Sequence, residues 1–205
     1  LILSGYNVSK DKLYADAEHA KSRRSIRTVM WQVLETITQM MSPVLSFTAE
    51  EIWQKMREMD PTLAKSVLLA DWPEPLAEGI DPAVEEEWDL LLMARQGVLR
   101  GLEAARGKGI IGHPLDADVQ VKLSDYYKPL AGRISDETWE NILIVSGCHV
   151  VDEISDAENV YEDETTGLTV GVSKSKDEKC PRCWKHRHEV AEKGICDRCA
   201  DVVGK

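Results

Sequence analysis

Cys180-Pro-Arg-Cys183 and Cys196-Asp-Arg-Cys199, separated by twelve residues, form a C-x2-C-x12-C-x2-C array near the end of a 205-residue chain. Two cysteines two residues apart can direct both sulfurs at one ion from a single tight turn, and two such turns complete the tetrahedron that zinc prefers. The competing reading, two disulfides or four unrelated buried thiols, suits small secreted domains, and no charged-then-apolar leader opens this sequence. With sulfur at all four positions no place is left for water, so the site is structural and zinc hydrolysis is not expected. His186 and His188 lie between the pairs, where four suitably spaced thiolates leave them no vacancy. Residues 174–205 hold few large apolar side chains beyond Trp184, Val190 and Ile195, too few to fold on burial alone. Metal ligation supplies roughly 10–16 kcal/mol in comparable zinc peptides, enough to hold such a segment.

Working outward, Lys179, Arg182, Lys185 and Arg198 surround the array in sequence. Two roles stand open for them: softening the formal charge of a zinc held by four thiolates, which also lowers the thiol pKa values, or contacting phosphate. Trp184 directly follows the second cysteine, so it either caps the small core or presents a face to a base.

The composition, 43% apolar and 30% charged, is that of a globular protein, and no apolar run approaches a membrane span. Four of the five cysteines fall in the array, as expected of a reducing, cytoplasmic setting; Cys148, in an apolar stretch, reads as a small buried hydrophobe. The chain begins Leu1-Ile2-Leu3-Ser4 without an initiator Met and reads as a piece of something longer. Its net charge of -11 is unevenly spread. Residues 1–30 carry six basic against three acidic side chains and residues 174–205 nine against six, which leaves -17 for the middle. A polyanion would be repelled by that middle and tolerated at the two ends.

Residues 1–20 read as the tail of a helical region. Ile26, Met30, Val33, Ile37 and Met40, joined by Val29, Leu34 and Met41, then recur at helical spacing and define an apolar stripe expected to face the core. Arg23 falls in line with the stripe, as a structural partner for a carboxylate. Lys21, Arg24, Thr28, Trp31 and Glu35 share the opposite face, with Arg24 the freer cation. Trp31, a large aromatic on a polar face, either packs on a neighbouring domain or offers a stacking surface to a base. Ser42-Pro43 ends this helix. Thr48 with Glu51 predicts a capping box for the next one, with Phe47 stapled onto Ile52 and with Trp53 and Met56 on the buried side. The pair argues an antiparallel hairpin in a bundle. Residues 60–80, with Pro61, Pro73 and Pro75, read as an extended connection. A long helix follows, capped by Asp81, with Pro82 in its first turn and its end near Gly107. Its apolar positions are Val84, Trp88, Leu91, Val98 and Leu102, and Glu85, Glu86 and Glu87 read as a solvated helix start. Beyond it Val119, Val121 and Leu123 alternate, Ile142–Val151 is rich in β-branched residues, and Tyr161–Val172 straddles a Thr165-Thr166-Gly167 turn.

The expected fold is therefore mainly α: a helical bundle over 1–107, a small α+β segment over 108–173 and a four-cysteine zinc knuckle over 174–205. No phosphate loop, dinucleotide fingerprint, nucleophile elbow or H-E-x-x-H occurs, and no catalytic residue is assigned.

Several stretches taken together resemble one family. They are Lys10-Asp-Lys-Leu-Tyr14, Arg23-Arg24, Ser42-Pro-Val-Leu-Ser-Phe-Thr-Ala-Glu-Glu-Ile-Trp53, Ser66-Val67, Ile111-Gly112 before an alternating strand, and Lys179-Cys-Pro-Arg-Cys-Trp184. In order and spacing they look like the C-terminal part of a bacterial isoleucyl-tRNA synthetase, a class I aminoacyl-tRNA synthetase, over nearly the whole chain. The resemblance implies a catalytic domain upstream, with H-I-G-H and K-M-S-K-S signatures that this chain lacks, and an editing domain. ATP and isoleucine would belong to that full-length enzyme. This piece would supply the helical anticodon-binding domain, an α+β junction and the terminal knuckle, with Cys180, Cys183, Cys196 and Cys199 as ligands of one structural zinc. Its implied partners are the anticodon arm of the isoleucine tRNA and the remaining domains of the same synthetase, with no membrane and no DNA. Candidate tRNA contacts are Arg24, Trp31, Arg182, Trp184 and Lys185. The gap between the cysteine pairs is shorter than in many members of the family.

Two other readings stand beside this one. A DNA-repair glycosylase carries a similar knuckle but needs a catalytic N-terminal Pro and a helix-two-turn-helix, neither of which is visible. A zinc-stabilised structural module would touch no nucleic acid at all.

Overall fold

The computed structural model describes residues 2–74 and 81–204, and for residues 2–7 the backbone alone. Pro75, in the connection expected over 60–80, lies outside the described residues. About half of the chain is helical. The helices are α1 (Ile2–Ala15), α2 (Lys21–Met41), α3 (Ser46–Met59), α4 (Pro82–Gly107), α5 (Asp136–Leu143), α6 (Val190–Lys193) and α7 (Asp197–Val203). The strands are β1 (Ala117–Lys122), β2 (Gly147–Val150), β3 (Asn159–Asp163), β4 (Leu168–Lys174), β5 (Glu178–Lys179) and β6 (His186–Arg187). The chain divides into two compact units, Leu1–Ala17 with Ile80–Lys205, and Glu18–Gly79. Within the first of these, α4 packs on the sheet that follows it, and the knuckle is tied to α1 and α5 by side-chain bonds.

In Glu18–Gly79, α2 and α3 form a hairpin. The turn is wound tightly, with Val44 and Leu45 both donating to the Met41 carbonyl and Ser46 Oγ to that of Ser42. Helix α3 consequently starts at Ser46, with Leu45 at its N-cap and no side-chain cap. Thr48 is already inside the first turn, so the expected capping box does not form, and Phe47 is 94% exposed instead of stapled to Ile52. Trp53 and Met56 are buried as expected, with Ala49 and Val67, and Trp31, Ile52, Leu63 and Ala64 pack around them. Trp53 Nε1 donates to the Ala64 carbonyl at 2.8 Å. Glu50 accepts from Ser66 Oγ and the Val67 amide, which fixes the short 3-10 turn at Val67–Leu69.

The orientation of α2 reverses the expectation. Val29, Met30, Val33, Leu34, Ile37 and Met40 are exposed, while Trp31 and Glu35 are half-buried and Thr38 and Ser42 buried. Burial of the polar face costs little because its hydroxyls are satisfied within the helix: Thr38 Oγ1 donates to the Leu34 carbonyl and Ser42 Oγ to that of Gln39.

In the larger unit, α4 obeys its sequence signals. Asp81 accepts from the Ala83 amide, Pro82 opens the helix and Lys108 closes it after Gly107. Leu91, Ala94, Val98, Leu102 and Ala105 are buried, whereas Val84 and Trp88 remain exposed. A four-stranded mixed sheet runs β2-β1-β4-β3, parallel between β1 and β2 and antiparallel elsewhere. Ala117, Val119 and Val121 of β1 and Leu168, Val170 and Val172 of β4 supply its share of the core. The β3–β4 hairpin turns at Gly167, whose positive φ of 66° explains a glycine there.

The β-branched run Ile142–Val151 divides between two elements. Ile142 and Leu143 finish α5, and only Gly147–Val150 makes a strand. Ser135 caps α5 by accepting from the Thr138 amide, and Trp139, Ile142 and Leu143 recur on its buried side, so helical spacing prevails over β propensity. Ile144 closes the helix in the left-handed region, at φ 61°.

Candidate metal centre

Cys180 and Cys183 sit in the turn joining β5 to β6, and Cys196 and Cys199 at the start of α7. The first turn is built from backbone bonds: the Cys180 amide donates to the Lys185 carbonyl and the Trp184 amide to that of Cys180, each at 2.9 Å. To close it, Trp184 takes a left-handed conformation with φ 66°, uncommon for a bulky residue. In the second turn Cys196 is the N-cap of α7 and its carbonyl accepts from the Ala200 amide. Gly194, at φ 70°, ends α6 just before it.

All four sulfurs lie within 4.8 Å of one another, and Cys180, Cys196 and Cys199 are buried. Cys183 and Cys196 Sγ are 3.7 Å apart. A tetrahedral ion with Zn–S bonds of about 2.3 Å sets sulfurs roughly 3.8 Å apart, whereas a disulfide needs about 2.05 Å. None of the five cysteines is in a disulfide. Burial pushes the Cys180 thiol up, but the backbone amides of Cys183, Cys196 and Arg182 outweigh it and bring it down to about 6. Burial raises Cys183 and Cys196. The donor set fits one structural zinc. Four thiolates would hold it and complete its coordination, and the ion would cross-link two turns that share little apolar core.

The basic residues around the array have distinct settings. Lys185 is 5% exposed, with Nζ 3.0 Å from Asn141 Oδ1 and 3.3 Å from Glu140 Oε2. Arg187 joins the same Glu140 and also donates to the Ser146 carbonyl. Arg182 Nη1 donates to Cys199 Sγ at 3.4 Å and to the Ala15 carbonyl at 2.6 Å. Arg198 grips Asp11 at 2.6 and 2.8 Å. Burial raises the Asp11 carboxyl, but Arg198 outweighs it and holds that group below the usual carboxylate range. Trp184 differs in being 60% exposed, with Lys179 Nζ 5.9 Å from its ring centroid. His186 Nδ1 is 2.7 Å from the Asp177 carbonyl and Nε2 is 3.4 Å from Asp116, while His188 is exposed; neither joins the sulfur cluster.

Arg24 and Trp31 lie in the other unit, Arg24 exposed on α2 and Trp31 against the Trp53 core. The structure thus brings Arg182 to the four cysteines, leaves Trp184 open beside Lys179 and closes Lys185 in. Sequence reasoning missed the Asp11–Arg198 pair and the role of Glu140. The one available signal was the repeated C-x-R-C arginine.

A helical, tRNA-ligase type of domain joined to a four-cysteine finger is what these elements define: the chain belongs to the family of the anticodon-binding domain of tRNA ligase, which it matches over residues 5–123. Residues 177–202 match a second family, a zinc finger found in FPG and IleRS. The chain is 35% identical over 200 residues to an isoleucine–tRNA ligase of Persephonella marina, with 96% of this chain covered. It is 36% identical over 201 residues to that of Aquifex aeolicus and 36% over 202 residues to that of Thermotoga maritima, with 97% and 96% covered. It spans 21% of the length of each of these relatives.

Proposed function

We propose that this chain is the tRNA-binding portion of an isoleucine–tRNA ligase, docking on the anticodon arm of the isoleucine tRNA, in a longer cytoplasmic protein that attaches isoleucine using ATP. The observation that carries this reading is the joint occurrence, in one chain, of the anticodon-binding family over 5–123 and the zinc finger over 177–202. The catalytic and editing chemistry would lie in the remaining domains. The exposed apolar stripe of α2 fits that division of labour, since the two-helix unit needs further helices to complete a bundle. No helix among the described residues is long and apolar enough to cross a membrane.

Within the knuckle, Trp184 is the side chain best fitted to meet an unpaired base. Its ring is held outward by the closed turn, and Lys179 supplies a cation beside it for the adjoining phosphate. Arg24 offers a second cationic contact from α2. Arg182 and Lys185, whose donors are engaged within the protein, serve the knuckle's own architecture, and Trp31 serves the α2–α3 core.

Trp184→Ala should weaken binding of isoleucine tRNA by roughly 1–3 kcal/mol while zinc stays bound, as measured by titration with labelled tRNA. Lys185→Ala should instead lower the melting temperature of the protein. Unchanged tRNA affinity in zinc-bound Trp184→Ala would favour the purely structural module.

A further inference from the structure

Each metal-binding turn carries an arginine immediately before its second cysteine, in Cys180-Pro-Arg182-Cys183 and Cys196-Asp-Arg198-Cys199. The two cross over. Arg182, from the first turn, donates to the sulfur of Cys199 in the second. Arg198, from the second, has the thiol of Cys183 in the first as a neighbour. Both then end on the same stretch of α1. Arg182 meets the carbonyls of Ala15 at 2.6 Å and Tyr14 at 3.5 Å, and Arg198 meets Asp11 with two nitrogens and Asp16 at 3.6 Å.

We infer, building on the structural zinc reading above, that Arg182 and Arg198 are positioning residues forming a metal-dependent latch on the last turn of α1. The last carbonyls of a helix lack intrahelical donors, and Arg182 supplies one. Four thiolates around a dication leave a formal charge of about -2, which favours both guanidinium groups beside the centre and strengthens the bond from Arg182 to Cys199. Without the ion the two turns lose the cross-link that aims the arginines, and the donors leave α1. The other anchors of α1 do not depend on metal: Lys12 pairs with Glu137 at 3.2 Å, and Val8 rests on the main core. Metal loss therefore loosens residues 11–17, where the chain leaves this unit, and spares the helix around Val8.

Hydrogen–deuterium exchange of the whole protein, with zinc content measured in parallel, tests this. Chelation should raise exchange at residues 11–17 about tenfold or more, with little change around Val8. Arg182→Met and Arg198→Met should show that raised exchange while zinc is still bound, and chelator should add little. Because a change inside the knuckle could unfold it, Asp11→Asn, on the far side of the contact, should do the same at full zinc content. Zinc-loaded wild type whose residues 11–17 exchange equally with and without chelator, or Asp11→Asn with wild-type protection, would overturn the latch and leave the zinc reading standing. Protein purified without chelator and found to hold no zinc would overturn both.

Discussion

Asp163 accepts from Arg100 Nε at 2.6 Å and Nη2 at 2.8 Å, and from Thr166 through both its amide and its hydroxyl. One carboxylate, almost wholly buried, thereby ties α4 to the end of β3 and shapes the turn into β4. The donation from Arg100 lowers the Asp163 pKa more than burial raises it, so the carboxyl stays well below the usual carboxylate range.

Arg100→Met should destabilise the protein by about 2–3 kcal/mol in denaturant unfolding, less than for a fully enclosed pair because Arg100 is itself partly exposed to water. The sign of the pH effect follows from a folded pKa depressed below the unfolded value of about 3.9. The stabilisation is complete above that value and drains away as pH falls toward the folded one. Asp163→Asn should therefore flatten the acid limb of the stability curve below about pH 4.

Metal removal should distinguish the cysteines. Cys180→Ser and Cys196→Ser should each reduce bound zinc from one per chain to none in elemental analysis. Cys148→Ser should leave zinc unchanged. Burial pushes the Cys148 thiol up, whereas the knuckle cysteines become reachable by iodoacetamide once chelation removes the cross-link that folds their two turns. Cys148 should react only on global unfolding.

At Gly101 α4 lies close against strand β4. A β-carbon there would lie 2.9 Å from both Cβ and Cγ1 of Val170, a stiff β-branched side chain that cannot swing aside. Gly101→Ala should cost about 1–3 kcal/mol, despite the better helix propensity of alanine. Gly107→Ala, with nothing within 4 Å of the added carbon, serves as the control. Thermal unfolding of both variants would decide it.

Elements whose signals are local are legible in the amino-acid sequence by itself. Asp81-Pro82 and Gly107 bracket α4, Ser42-Pro43 closes α2, Thr165-Thr166-Gly167 turns the β3–β4 hairpin and the cysteine spacing brings four sulfurs together. Each depends on backbone chemistry within a few residues: a cap, a missing amide, a positive φ, a short loop between ligands.

What tertiary structure alone decided is which face meets which neighbour. Periodicity located the apolar stripe of α2 but could not say that Trp31, Thr38 and Ser42 would turn inward and leave Val29, Met30 and Ile37 in water. That choice depends on the partner surface offered by α3 and on hydroxyls satisfied within the helix. The same holds for the charges. Arg182, Lys185 and Arg198 read alike along the sequence, yet one meets a sulfur and a helix end, one a half-buried Glu140 and one Asp11. Asp11 lies 187 positions from Arg198. A cation's role is set by the acceptor that folding places within about 3 Å of it, and no local pattern carries that pairing.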